Sequence, residues 1–183
     1  MTFGSHQTPP VSVLTPSIPE RAGLLTECRL SVKAQTAPCE HLIEIDTNRD
    51  GCSRVMNRLA REAAGEWLLP LADDDLLLPG AVATLLAHSD DADIVYAPPL
   101  VWGNSDTHFW GEPPCIPSFA LVRKTLWHDL GGYDETRRRE EDRNLWMKAM
   151  NAGARFRKAD SGGPTWIYRF HGGNKSYNNG VAS

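Results

Sequence analysis

Apolar residues along the chain form short continuous runs that alternate with longer stretches of helical period. The run "VSVLTP" (11–16) reads as a buried strand stopped by proline. Over 17–35, Leu24, Leu25, Cys28 and Val32 form an apolar stripe, and Ser17 and Glu20 have the spacing of a capping box, so a helix is expected. "HLIEID" (41–46) is a second strand, followed by the turn "TNRDG". Val55, Met56, Leu59 and Ala63 share one face of a helix over 53–65, with Gly65 suited to its end. "EWLLPLA" (66–72) is a third strand, in which Pro70 is unusual for a central position. A helix begins at Pro79, and "ADIVYA" (92–97) is a fourth strand. The proline-rich segment 98–117 reads as a hairpin or loop. Beyond it come a strand running into a short helix (118–132), a helix with an acidic start (140–153), and the strands "ARFRKA" and "TWIYRFH".

Strands alternating with helices point to an α/β sandwich around a mainly parallel sheet. One domain is expected over 11–171, with a flexible segment at 1–10 and a polar tail at 172–183. In such sheets ligands gather at the carboxyl ends of the strands. Pro16 and Ser17, Asp46, and the run Asp73, Asp74, Asp75 all fall at those ends, so they should meet at one rim.

Composition narrows the function. The 183 residues are 41% hydrophobic and 23% charged, as in soluble globular proteins. A net charge of −4 argues against a broad nucleic-acid surface. No apolar run approaches the roughly 20 residues of a membrane span, and the N-terminus lacks the pattern of a secretory signal, so a cytoplasmic protein is expected. The four cysteines lack CxxC spacing and fit free thiols.

Three aspartates at the end of a buried strand repel one another unless something offsets their charge. Carboxylates in that position suit a hard divalent cation, Mn²⁺ or Mg²⁺, bridging protein to substrate phosphates. Taken alone, the cluster serves equally as a solvated acidic turn capping the next helix. The apolar sequence on both sides favours the metal reading, because it pins the cluster to a strand rim.

Several stretches resemble family 2 glycosyltransferases of the GT-A fold, a Rossmann-like α/β/α sandwich. These are "VSVLTPSIPERAGLLTECRLSVKAQT", "IEIDTNRDG", "NRLAREAAGEWLLPLADDDLLLPGAV", "LVRKTLWHDLGGYDE" and "EEDRNLWMKAMNAG", in that order over about residues 11–176. The resemblance implies a nucleotide-sugar donor, a UDP-sugar above all. Donor contacts would come from Thr15, Pro16, Ser17, Glu20, Arg21 and Asp46, and from Arg54 and Asn57 on the next helix. Asp46 also fits a turn aspartate bonding its own backbone. The family's acidic motif begins one position earlier, at Ala72 here. Asp73 is therefore assigned to the ribose side, Asp74 to donor or metal, and Asp75 to the metal.

The family's base is the aspartate of a Glu-Asp pair, matched by Glu141 and Asp142, with Glu141 positioning. His171 would complete the metal site at the start of a lid formed by the glycine-rich tail. Trp110 and Trp146 are the candidates for acceptor stacking; Trp127 reads as core, and Arg137, Arg138 and Arg139 as a solvated run. The expected reaction is a metal-dependent inverting transfer of one sugar to an acceptor hydroxyl, on a glycan, lipid-linked sugar or protein. Two alternatives stand beside it: a nucleotidyltransferase making nucleotide sugars, for which "TPSIPERAG" is a poor phosphate loop, and a nucleotide- or sugar-binding module without turnover.

Overall fold

The structure is a computed structural model that describes residues 9–103 and 111–171. Its strands are β1 (Val11–Ser17), β2 (Cys39–Ile45), β3 (Trp67–Pro70), β4 (Leu76–Leu77), β5 (Ile94–Tyr96), β6 (Leu100–Trp102), β7 (Ala120–Arg123), β8 (Phe156–Lys158) and β9 (Trp166–Arg169). Its helices are α1 (Ala22–Lys33), α2 (Cys52–Glu62), α3 (Ala81–Leu86), α4 (Lys124–Asp129) and α5 (Glu141–Asn151), with a single 3₁₀ turn at Pro19–Arg21. None of the described helices is long and apolar enough to cross a membrane.

The central sheet has the order β2-β1-β3-β7-β5-β8. β1 runs parallel to β2 and β3, and β5 runs parallel to β8. Only β7 is antiparallel to its neighbours, β3 and β5. The expected mainly parallel sheet is therefore present. Alternation along the strands feeds two cores. Val11, Val13, Trp67, Leu69 and Leu121 pack with α1 and α3 on one face. Leu14, Leu68, Ala120 and Val122 pack with α2, α4 and α5 on the other.

Pro70 fits its central strand for a specific reason. The Trp67 and Leu71 amides donate toward β1, to the carbonyls of Pro10 and Leu14. The Pro70 nitrogen therefore faces the β7 side, and that ladder ends at Leu68 opposite Val122. No hydrogen bond is lost there.

Three sequence expectations are corrected. Ser17 does not cap α1: the chain passes first through the 3₁₀ turn, and the hydroxyl binds Asp73 instead. In the 98–117 segment, read as a hairpin or loop, the described residues hold one strand, β6, which pairs with the distant β9 rather than with a neighbour in a hairpin. β4, absent from the sequence reading, follows the aspartates and joins a small second sheet of order β4-β9-β6. Two apolar residues carry too little periodicity to be read as a strand; their pairing with the distant 166–169 segment makes them one.

Candidate active site

The carboxyl ends of β1, β2 and β3 open onto a cavity of about 920 Å³. Pro16, Ser17, Arg21, Asp46 and the three aspartates form part of its wall, and residues 137–142 form another part. Chain segments far apart in sequence meet here because the first three strands are parallel and β7 brings α4 and α5 beside them.

The aspartate turn is buried, not solvated: Asp73, Asp74 and Asp75 are 3%, 5% and 3% exposed. Each has specific partners, as buried charges require. Ser17 Oγ donates to Asp73 Oδ2 at 2.6 Å. Arg21 Nη1 donates to Asp73 Oδ1 at 2.8 Å and to Asp74 Oδ2 at 3.0 Å. His171 Nε2 lies 3.2 Å from the same Asp74 oxygen. Asp75 Oδ1 accepts the Arg169 N–H at 3.0 Å, and the Arg169 side chain reaches the Asp74 carbonyl. Burial, and next the charge of Asp74, push the Asp75 carboxyl well above its ordinary range.

Asp46 closes its own turn, accepting the Asp50 and Gly51 amides at 2.9 and 2.8 Å. Desolvation opposes its charge, but those amides hold its pKa below the usual carboxylate value. It also lines the cavity.

Glu141 and Asp142 open α5 and both reach the cavity. Asp142 is half-buried, and its Oδ1 accepts the Arg143 N–H at 2.8 Å. Desolvation raises its pKa; the Arg143 amide opposes this, and the Glu141 charge adds to it. Arg137, Arg138 and Arg139 are exposed, in keeping with a solvated run, and they also line the cavity.

Other candidates fall elsewhere. Thr15 is buried within β1, its hydroxyl 2.9 Å from His41 Nε2 on the neighbouring β2, and it is not on the cavity wall. Glu20 is off the cavity wall, paired with Arg49. Arg54 pairs with Glu135 at 3.6 Å beside a smaller recess of about 210 Å³. Asn57 is buried and holds the main chain of Tyr133. Trp146 is fully buried, as is Trp127. A side chain of that size gains roughly 1.5–3 kcal/mol from burial, which wins over display to an acceptor. Trp110 and the tail after His171 lie outside the described residues.

Sequence reasoning missed Arg49, Ser118, Tyr133 and Tyr168 on the cavity wall, and Arg169 behind the acidic turn. Tyr168 and Arg169 belong to β9, whose pairing with β4 leaves no local signal. None of the four cysteines is in a disulfide.

As donors for a divalent cation, Asp74 and His171 would supply an oxygen and a nitrogen: Asp74 is on the cavity wall, and its Oδ2 lies 3.2 Å from His171 Nε2. No group of three such side chains converges among the described residues. An ion held there would need phosphate oxygens and water to complete its shell.

An α/β/α sandwich of this strand order, with an acidic turn at its rim, is the GT-A fold of glycosyltransferases. The chain belongs to glycosyl transferase family 2, whose model matches residues 33–163. Among solved structures it is similar to S. aureus TarS (residues 1–349) in complex with UDP-GlcNAc, at 17% identity and a TM-score of 0.74, covering 94% of this chain and 62% of that one. It is also similar to the mannosyltransferase PcManGT of Pyrobaculum calidifontis, in complex with GDP-Man and Mn²⁺, at 15% identity and a TM-score of 0.68, covering 94% and 59%. The catalytic domain of Drosophila β1,4-galactosyltransferase 7 matches at 14% identity and a TM-score of 0.62, covering 85% and 68%. This chain thus spans about three fifths of the TarS and PcManGT chains. Comparison with curated protein sequences finds no significant match.

Proposed function

We propose that this chain transfers one sugar from a nucleotide-sugar donor to an acceptor hydroxyl, with inversion at the anomeric carbon. The observation that carries this reading is a single cavity walled by both the buried aspartate turn and the Glu141–Asp142 pair. The complexes of TarS with UDP-GlcNAc and of PcManGT with GDP-Man support a donor of that class.

Asp142 is the general base. It takes the acceptor hydroxyl's proton as that oxygen attacks the anomeric carbon and the bond to the diphosphate breaks. Desolvation favours this role, because a carboxylate in poor solvent holds a proton better than one in water. Glu141 positions it. Ser17, Asp46 and Asp73 take the nucleoside, and Arg21 faces the diphosphate. Asp74 and His171 would hold Mn²⁺ or Mg²⁺, and an ion there supplies charge stabilisation to the leaving diphosphate. Asp75, with one oxygen on the Arg169 amide, supports the turn and has a second oxygen for the site.

A thermal-shift screen of nucleotide sugars with Mn²⁺ identifies the donor, because stabilisation follows affinity. Proton NMR of the product then reads the anomeric coupling. Inversion is expected. Retention removes the single-displacement mechanism, and donor binding without any turnover makes the chain a binding module.

A further inference from the structure

We infer that Arg21 is a tethered cation that competes with the divalent ion for Asp74, so that ion and nucleoside diphosphate bind together rather than separately. The inference rests on the metal reading of Asp74 and His171 given above.

One guanidinium nitrogen bridges two carboxylates. Arg21 Nη1 is 2.8 Å from Asp73 Oδ1 and 3.0 Å from Asp74 Oδ2. Asp74 Oδ2 is also the oxygen nearest His171 Nε2, at 3.2 Å. The atom through which Asp74 and His171 would share an ion is therefore already held by a positive charge. A dication on that oxygen and a guanidinium on the same oxygen would be like charges a few Å apart, in a place where both carboxylates are almost wholly buried.

Arg21 is also suited to let go. It stands on the short 3₁₀ turn after β1, and its side chain is 25% exposed, against 5% and 7% for its two partners. It can move toward the cavity it already lines. It does not leave without cost, because a buried carboxylate would lose its partner. A diphosphate in the cavity changes the balance. Its oxygens match the planar fork of a guanidinium and draw Arg21 off Asp74. The same phosphate oxygens would complete the shell of an ion at Asp74 and His171, where no group of three ligating side chains converges among the described residues. Each ligand thus removes the obstacle to the other. By linkage, the factor by which nucleotide tightens ion binding equals the factor by which ion tightens nucleotide binding.

The test is Mn²⁺ binding read by loss of the free-ion EPR signal, alone and with UDP or GDP in separate arms. The proteins are the parent, Arg21→Gln, Arg21→Lys and, as a control, Asp74→Asn. The parent should bind Mn²⁺ weakly alone and about tenfold more tightly with the nucleotide it accepts. Arg21→Gln should bind Mn²⁺ alone about tenfold more tightly than the parent, with the nucleotide enhancement reduced. Arg21→Lys, which keeps the charge, should resemble the parent, and Asp74→Asn should bind poorly throughout. If Arg21→Gln does not fold, Arg21→Gln with Asp73→Asn removes the cation and one charge it matches, and the same tightening is expected. A nucleotide enhancement in the parent, with unchanged free-ion affinity when Arg21 is neutralised, overturns the inference alone. A parent that binds no Mn²⁺ even with nucleotide overturns the metal reading as well.

Discussion

Asn57 grips the main chain of Tyr133 from both sides. Its Nδ2 donates to the Tyr133 carbonyl at 2.9 Å, and its Oδ1 accepts the Tyr133 N–H at 2.9 Å. This fastens α2 to the segment that leads into Arg137–Asp142. Asn57→Ala strands both groups in a buried place and should cost about 1–3 kcal/mol. Gly132 has φ +65°, and a Cβ there would stand 2.3 Å from Asn57 Oδ1 and 2.7 Å from Trp127 Nε1. Gly132→Ala should therefore destabilise at least as much. Urea titration reads both, and donor affinity of the folded fraction should survive better than turnover.

Loss of the base should strike chemistry and spare donor binding. For Asp142→Asn the expected turnover loss is on the order of 10²–10⁴-fold, with donor affinity within a few-fold of the parent. Because desolvation raises the Asp142 pKa, the acidic limb of kcat/KM should lie above the ordinary carboxylate value of 3.8. Glu141→Gln should lose less. A pH–rate profile and calorimetry of donor binding check these outcomes, and a fully active Asp142→Asn enzyme removes Asp142 from the mechanism.

Asp75 costs the unliganded fold stability at neutral pH. Burial, then the charge of Asp74, hold its folded pKa above the unfolded value, so the folded state binds the extra proton. Stability falls as pH rises through the window between the two pKa values. Asp75→Asn should raise the melting temperature of the unliganded protein at pH 8 more than at pH 4.5. An equal change at both pH values contradicts the assignment.

His41 should make the fold sensitive to acid. Desolvation, then the charge of Arg29, lower its pKa from 6.5 to about 4, while Thr15 holds its ring at 2.9 Å. The unfolded chain takes up the proton first, so stability drops as pH falls from about 6.5 to about 4, by an amount on the order of 1–3 kcal/mol. His41→Gln should flatten the dependence of the urea midpoint between pH 7 and pH 4.5. If the parent and variant lose stability in parallel, the titrating group lies elsewhere.

The layered fold was legible because apolar runs and helical stripes need only local spacing. Val11, Val13 and Leu14 announce a strand buried on both faces, and Val55, Met56 and Leu59 one face of a helix. The rim was legible for the same reason: parallel strands put Ser17, Asp46 and the aspartates at one edge. Side-chain partners were not. Thr15 and Ser17 share one face of β1, yet one meets His41 on the neighbouring strand and the other meets Asp73 in the acidic turn. Asn57 reads as a polar position off the apolar stripe. Its role is set by Tyr133, 76 residues away, and no local pattern marks that partner. Trp146 beside the acidic pair invited a binding role, but its place on α5 turns it to the core.

β7 runs against both its neighbours, and its ladder with β3 is confined to Trp67 and Leu68 opposite Arg123 and Val122. On the proposed assignment, most donor contacts come from the chain before that seam, and the acceptor-side acids come after it. The seam does not divide the molecule into independent halves: side chains from before and after it fill one core, and Asn57 holds Tyr133 across it. A change of acceptor that leaves the donor side intact therefore has to be made in the residues that line the cavity, not by exchanging whole segments.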